Sequence, residues 1–148
     1  MKSSAQRIRG GLRIRVRSTA GMTLDQTAVD ALPFYLAGRD DVANKLLELC
    51  LGTVVGVLVR PLAGKGSEVE LLPASAVRPV GFTDAEALLP VTNRSFQGYR
   101  LLQEYFSFPQ RYRFFEVAGL RAALAKLPVT DAEIVLLFSR GDATLESV

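Results

Sequence analysis

Histidine is absent from the 148 residues, and cysteine occurs once, at Cys50. Without histidine there is no Ser-His-Asp triad, no histidine-activated cysteine nucleophile and none of the usual zinc sites. A single cysteine allows no intrachain disulfide. Cys50 lies between Leu49 and Leu51 and reads as a buried, inert thiol. One thiol and no secretory signal fit a reducing cytosol. Long hydrophobic runs are also missing. The longest, Val54 to Val59, contains a glycine and is strand length, far below the roughly 18 residues of a membrane helix; the chain reads as soluble. No GxGxxG and no calcium-loop spacing occurs. Gly64-Lys65-Gly66-Ser67 lacks the upstream glycine of a phosphate loop and reads as a hairpin tip. Carboxylate pairs occur at Asp40/Asp41, Asp84/Glu86 and Asp131/Glu133. Each falls where a helix begins or a turn precedes an element, where acids satisfy amides and the helix dipole. The expectation is no catalytic residue, no cofactor and no metal site.

What is present is an ordinary globular composition, 49% hydrophobic and 22% charged. A chain of this length buries roughly two-thirds of its unfolded surface, enough for a core without staples. The charge is unevenly spread. Lys2, Arg7, Arg9, Arg13, Arg15 and Arg17 precede the first acid, Asp25, and the remainder carries 12 basic and 15 acidic residues. A basic end can touch nucleic acid or another polyanion, which is the alternative functional reading. It can equally be a solvated edge facing an acidic neighbour. The second reading is preferred, because no aromatic residue is interleaved with these arginines for base stacking.

Residues 1–9 read as a disordered or added lead. Leu12, Ile14 and Val16 then alternate with Arg13, Arg15 and Arg17, the period of a half-buried strand, basic on one face. Leu32 to Ala37 reads as a second strand. Asp40 caps a predicted helix from Asp41 to Leu51, with Asp41 and Lys45 paired along it and Gly52 ending it in the left-handed conformation. Thr53 to Arg60 and Ile134 to Phe138 are apolar at odd and even positions, as central strands are. Glu68 to Leu72 reads as the hairpin partner of the first of these. Thr83-Asp84-Ala85-Glu86 has the form of a capping box, opening a short helix that Pro90 ends. Ser95 caps a helix to about Ser107, in which Gly98 allows close approach of another backbone. Tyr112 to Val117 reads as a strand, and Val117 to Leu127 as an alanine- and leucine-rich helix stopped by Pro128. The expected architecture is α+β (mixed α/β). It has one sheet of about five or six strands packed by three or four helices, with residues 10–148 forming a single domain.

Eight of the twelve aromatic residues fall between Phe96 and Phe115. At helical spacing Phe96, Tyr99, Leu102 and Phe106 form a stripe expected to pack on the sheet, with one or two rings reaching an interface.

The segment Gly98-Tyr99-Arg100-Leu101-Leu102-Gln103-Glu104-Tyr105-Phe106-Ser107-Phe108-Pro109, followed by Arg113-Phe114-Phe115-Glu116-Val117-Ala118-Gly119-Leu120, resembles the signature of the TssF family, also called ImpG or VasA. These are baseplate subunits of the type VI secretion system. Val80-Gly81-Phe82 with Leu88-Leu89-Pro90, and the order of basic strand, Leu-Pro-Phe-Tyr-Leu and leucine-rich helix, are similar to the same family. The likeness covers roughly residues 10–140 and marks the chain as an internal region of a longer subunit. It implies a cytoplasmic scaffold of a contractile injection system that supports bacterial virulence. Such a scaffold sits on the cytoplasmic side of the inner membrane, without inserting into it. Its implied partners are TssG, TssK, TssE, a second TssF copy and the spike, with no nucleic acid. The family has no catalytic residues to carry over. Gly98, Tyr99, Arg100, Leu102, Glu104, Tyr105, Phe106, Pro109, Phe114, Phe115, Gly119 and Leu120 carry the resemblance. Arg13, Arg15 and Arg17 are the candidate interaction surface.

Overall fold

The alternation read at residues 12–17 is an edge strand in the computed structural model, which describes residues 7–63, 69–89 and 96–146. This strand, β1 (Gly10–Arg17), pairs antiparallel with β7 (Asp131–Phe138). On the other side of β7 lies β3 (Val54–Pro61), which in turn pairs with β4 (Glu70–Pro73). The order is β1-β7-β3-β4. Both all-apolar runs are therefore central strands, as their sequence requires. Val57, Val59, Ile134 and Leu136 line the inner face and are fully buried. Leu58, Val135 and Leu137 on the outer face are half-buried.

A second sheet has the order β2-β6-β5, formed by β2 (Leu32–Tyr35), β6 (Phe114–Val117) and β5 (Val77–Pro79). Phe34 faces Phe115 in register, with ring centroids 5.4 Å apart. The mixed α+β class holds, but the single sheet expected from the sequence is two. Both edges of β3 are taken by β7 and β4, so β6 finds its partners elsewhere. Its third strand, β5, is only three residues long and ends in proline, too short to show a period. Helix α1 (Asp40–Gly52) lies against β3 and β7 of one sheet and β5 and β6 of the other. Its Ala43, Leu49 and Cys50 join one core with strand residues of both sheets. Helix α3 (Leu120–Leu124) adds Leu120, Ala123 and Leu124.

Local details depart from the sequence reading for identifiable reasons. The N-cap of α1 is Arg39, and Asp40 and Asp41 occupy the first turn. Asp41 pairs with Arg39 rather than Lys45, which reaches Asp142 and Thr144 instead. Gly52 is not left-handed; the Thr53 hydroxyl donates to the Leu49 carbonyl at 2.8 Å and closes the helix. Val117 belongs to β6, and α3 is one short turn introduced by left-handed Gly119. Strand pairing of Val117 with Leu32 and Val77 outweighs the helical propensity of the alanines and leucines after it. Asp84–Glu86 is a single 3-10 turn. Thr83 donates its hydroxyl to Glu86 rather than accepting from the helix, so only the glutamate half of the capping box forms. Gly64 to Ser67, Pro90 and Ser95 lie outside the described residues.

Candidate interaction surfaces

Helix α2 (Gln97–Ser107) reverses the usual arrangement of an amphipathic helix. Its two charged residues, Arg100 and Glu104, face inward, and Glu104 is 0% exposed. Phe96 and Phe106 are 73% and 79% exposed, and Tyr99, Leu102, Tyr105 and Phe108 are more than half exposed. The stripe expected to pack on the sheet therefore faces outward. Of the eight clustered aromatics, only Tyr112 and Phe115 are buried, while Phe114 is half-buried against Tyr35.

The reversal follows from the backbone beneath the helix. Residues 81–89 form no strand, so their amides need acceptors. The Glu104 carboxylate accepts from the Leu88 and Leu89 amides at 2.9 and 3.0 Å. It also accepts from Arg100 and from the Tyr112 hydroxyl, both at 3.2 Å. The Arg111 guanidinium lies 3.6 Å away. Burial alone would push Glu104 upward; the Leu89 and Leu88 amides, Arg100 and Tyr112 together outweigh it and hold the carboxyl at about 2. Burial raises the Tyr112 phenol, and the same carboxylate raises it further. A helix whose inner face serves a polar network has only its outer face left for its rings.

Sequence reading missed this centre. Arg100 and Glu104 stand four apart on a helix, which by itself signals a surface pair. Gly98 is also differently employed: a Cβ there would meet the Phe96 ring at 2.3 Å, a side chain rather than another backbone. Between α1 and α2 a cleft of about 700 Å³ opens, lined by Leu47, Leu51, Phe82, Leu101, Leu102 and Tyr105 among others.

The second surface is the outer face of the four-stranded sheet. Arg13, Arg15 and Arg17 share it and are exposed, but two of them meet carboxylates of β7 and not only water. Arg17 donates to Asp131 at 2.5 Å, which raises the arginine and lowers the acid from their ordinary values. Arg13 lies 3.9 Å from Glu133, and Arg60 binds the same carboxylate at 2.7 Å. Arg15 makes no hydrogen bond or ion pair among the described residues. Besides these charged residues, the strand residues Leu58, Leu71, Val135 and Leu137 on this face are aliphatic, so none of them offers a ring to a nucleic-acid base. Cys50, inside, is 1% exposed and burial pushes its thiol up to about 12. No cluster of three or more metal-binding side chains occurs among the described residues, and none of their helices is long and apolar enough to cross a membrane.

The family model for "Type VI secretion system, TssF" matches residues 1–148. The chain belongs to the TssF family. It is 47% identical over 146 residues to the type VI secretion system component TssF1 of Pseudomonas aeruginosa, covering 99% of this chain and 23% of that protein. The chain thus spans about a quarter of the length of this TssF relative. Its fold matches a chain of a TssK-TssF-TssG baseplate subcomplex solved by cryo-electron microscopy, with a TM-score of 0.70 and 24% identity over 88% of this chain and 24% of that one. The residues that carried the family resemblance split by role. Phe115 and Leu120 are core, Gly119 supplies a left-handed turn, Arg100 and Glu104 anchor α2 from within, and Tyr99, Leu102, Tyr105 and Phe106 face outward.

Proposed function

We propose that this chain is a non-catalytic structural module of the type VI baseplate, on whose surface other baseplate subunits dock. Residues 10–148 form one domain of a longer subunit. It works on the cytoplasmic side of the inner membrane, in the wedge assembly that attaches sheath and tube for contractile secretion. TssG and TssK are its first partners; TssE, a second TssF copy and the spike complete the set. The observation that carries this reading is the outward aromatic face of α2, uncharged and built around a buried Arg100–Glu104 pair. An exposed patch of this kind marks an interaction site. The Arg13, Arg15 and Arg17 row is proposed as a second contact, of polar character.

The test uses the full-length subunit with Tyr99→Asp and Phe106→Asp. Both side chains are solvent-facing, so the variant is expected to fold. Co-purification with TssG and TssK is expected to fall sharply. A folded variant that retains both partners at the native level overturns the reading for this face.

A further inference from the structure

Among the described residues nothing pairs with the outer edge of β1, and that edge combines three features that together describe one kind of occupant. The first is its backbone. The Ser18 amide donates to Thr130, continuing the register in which residues 10, 12, 14 and 16 face β7. In an antiparallel pair, alternate residues turn both N–H and C=O toward the partner and the others turn both away. The amides and carbonyls of Arg13, Arg15 and Arg17 therefore point to the open edge. The second is charge. Arg13, Arg15, Arg17 and Arg60 set four guanidinium groups against two carboxylates, Asp131 and Glu133, on the outer face. Positive charge is left over along the edge itself. The third is on the opposite face. Leu12, Ile14 and Val16 are only half-buried there, and a cleft of about 450 Å³ opens beside Val16, lined by Leu24, Val29, Leu32, Phe34 and Leu124.

We infer that β1 receives an extended segment of a partner protein as an added strand, one in which acidic residues alternate with aliphatic ones. The acids stand beside the arginines on the outer face. The aliphatic residues cover the inner face and enter the cleft by Val16. The main-chain bonds supply affinity, and the alternation supplies specificity. This deepens the assembly reading and rests on it, naming the chemistry of a second docking partner.

The full chain is titrated with fluorescent eight-residue peptides, one alternating glutamate and valine, the other lysine and valine. The glutamate peptide binds and the lysine peptide does not. Arg13→Glu with Arg15→Glu exchanges that preference. Arg15→Pro removes one outward N–H without touching a bond to β7, so the melting temperature holds while the glutamate peptide binds about tenfold more weakly. Absence of binding overturns the inference. So does binding indifferent to Arg15→Pro, which would be side-chain attraction with no added strand. If the peptide fails while Tyr99→Asp with Phe106→Asp still releases TssG, the baseplate reading stands and strand addition alone is lost.

Discussion

A single carboxylate decides which way α2 faces. Glu104 gathers two main-chain amides, two side-chain donors and a nearby guanidinium at a point that excludes water. A hydrophobic stripe would otherwise have claimed that position. Because its carboxyl sits near 2 when folded and near 4.5 when free, the folded state is favoured by ionised Glu104 at any pH above about 4.5. That contribution is lost as pH falls from 4.5 through about 2. Glu104→Gln is therefore expected to melt well below the native chain at pH 7. The gap should narrow progressively between pH 4.5 and 2. Melting curves collected across that range check it, and a gap independent of pH would show that the carboxylate's charge is immaterial. No sequence spacing reveals this role, because the Leu88 and Leu89 amides that need an acceptor lie sixteen and fifteen residues away. By contrast, the burial of Cys50 was legible beside Leu49, which is buried with it, although the strands of both sheets that cover the thiol were not.

At the scale of elements, the strands of the larger sheet were readable and α2 was only half so. β1, β3 and β7 each carry a pattern their burial enforces: period 2 at an edge, apolar on both faces at the centre. Helix α2 shows its length and its stripe, but a stripe does not say which side is in. Apolar periodicity reports a face that avoids water, and an unfilled docking surface satisfies that as well as a core does. Phe106→Ala is accordingly expected to leave the denaturation midpoint of this chain almost unchanged. Phe115→Ala, at a fully buried ring of β6, should cost about 3–5 kcal/mol. Chemical denaturation of the two variants separates them, and equal losses would place Phe106 in the core after all. Strands β2 and β6 of the second sheet were read from the sequence, but β5, three residues ending in proline, was not, and neither was the separation of these strands into a sheet of their own. Which strands pair with which is set by contacts far apart in the chain, and no local pattern records it.

At the scale of the whole molecule, the two sheets have no strand in common, yet they share one core through α1. Whether they open together is an experimental question, and the chain carries its own reporter. Cys50 sits on α1, inside that shared core, and is the sole thiol. Burial both hides it and suppresses its thiolate, so a maleimide or disulfide reagent has to wait for an opening event. If the sheets separate only in global unfolding, the labelling rate of the native chain should rise with denaturant along the same slope as the unfolding equilibrium. Labelling that is faster and insensitive to denaturant would reveal a local detachment of α1. The expected outcome is the first. The lone cysteine thereby turns a question about cooperativity into a rate that can be measured without any engineered probe.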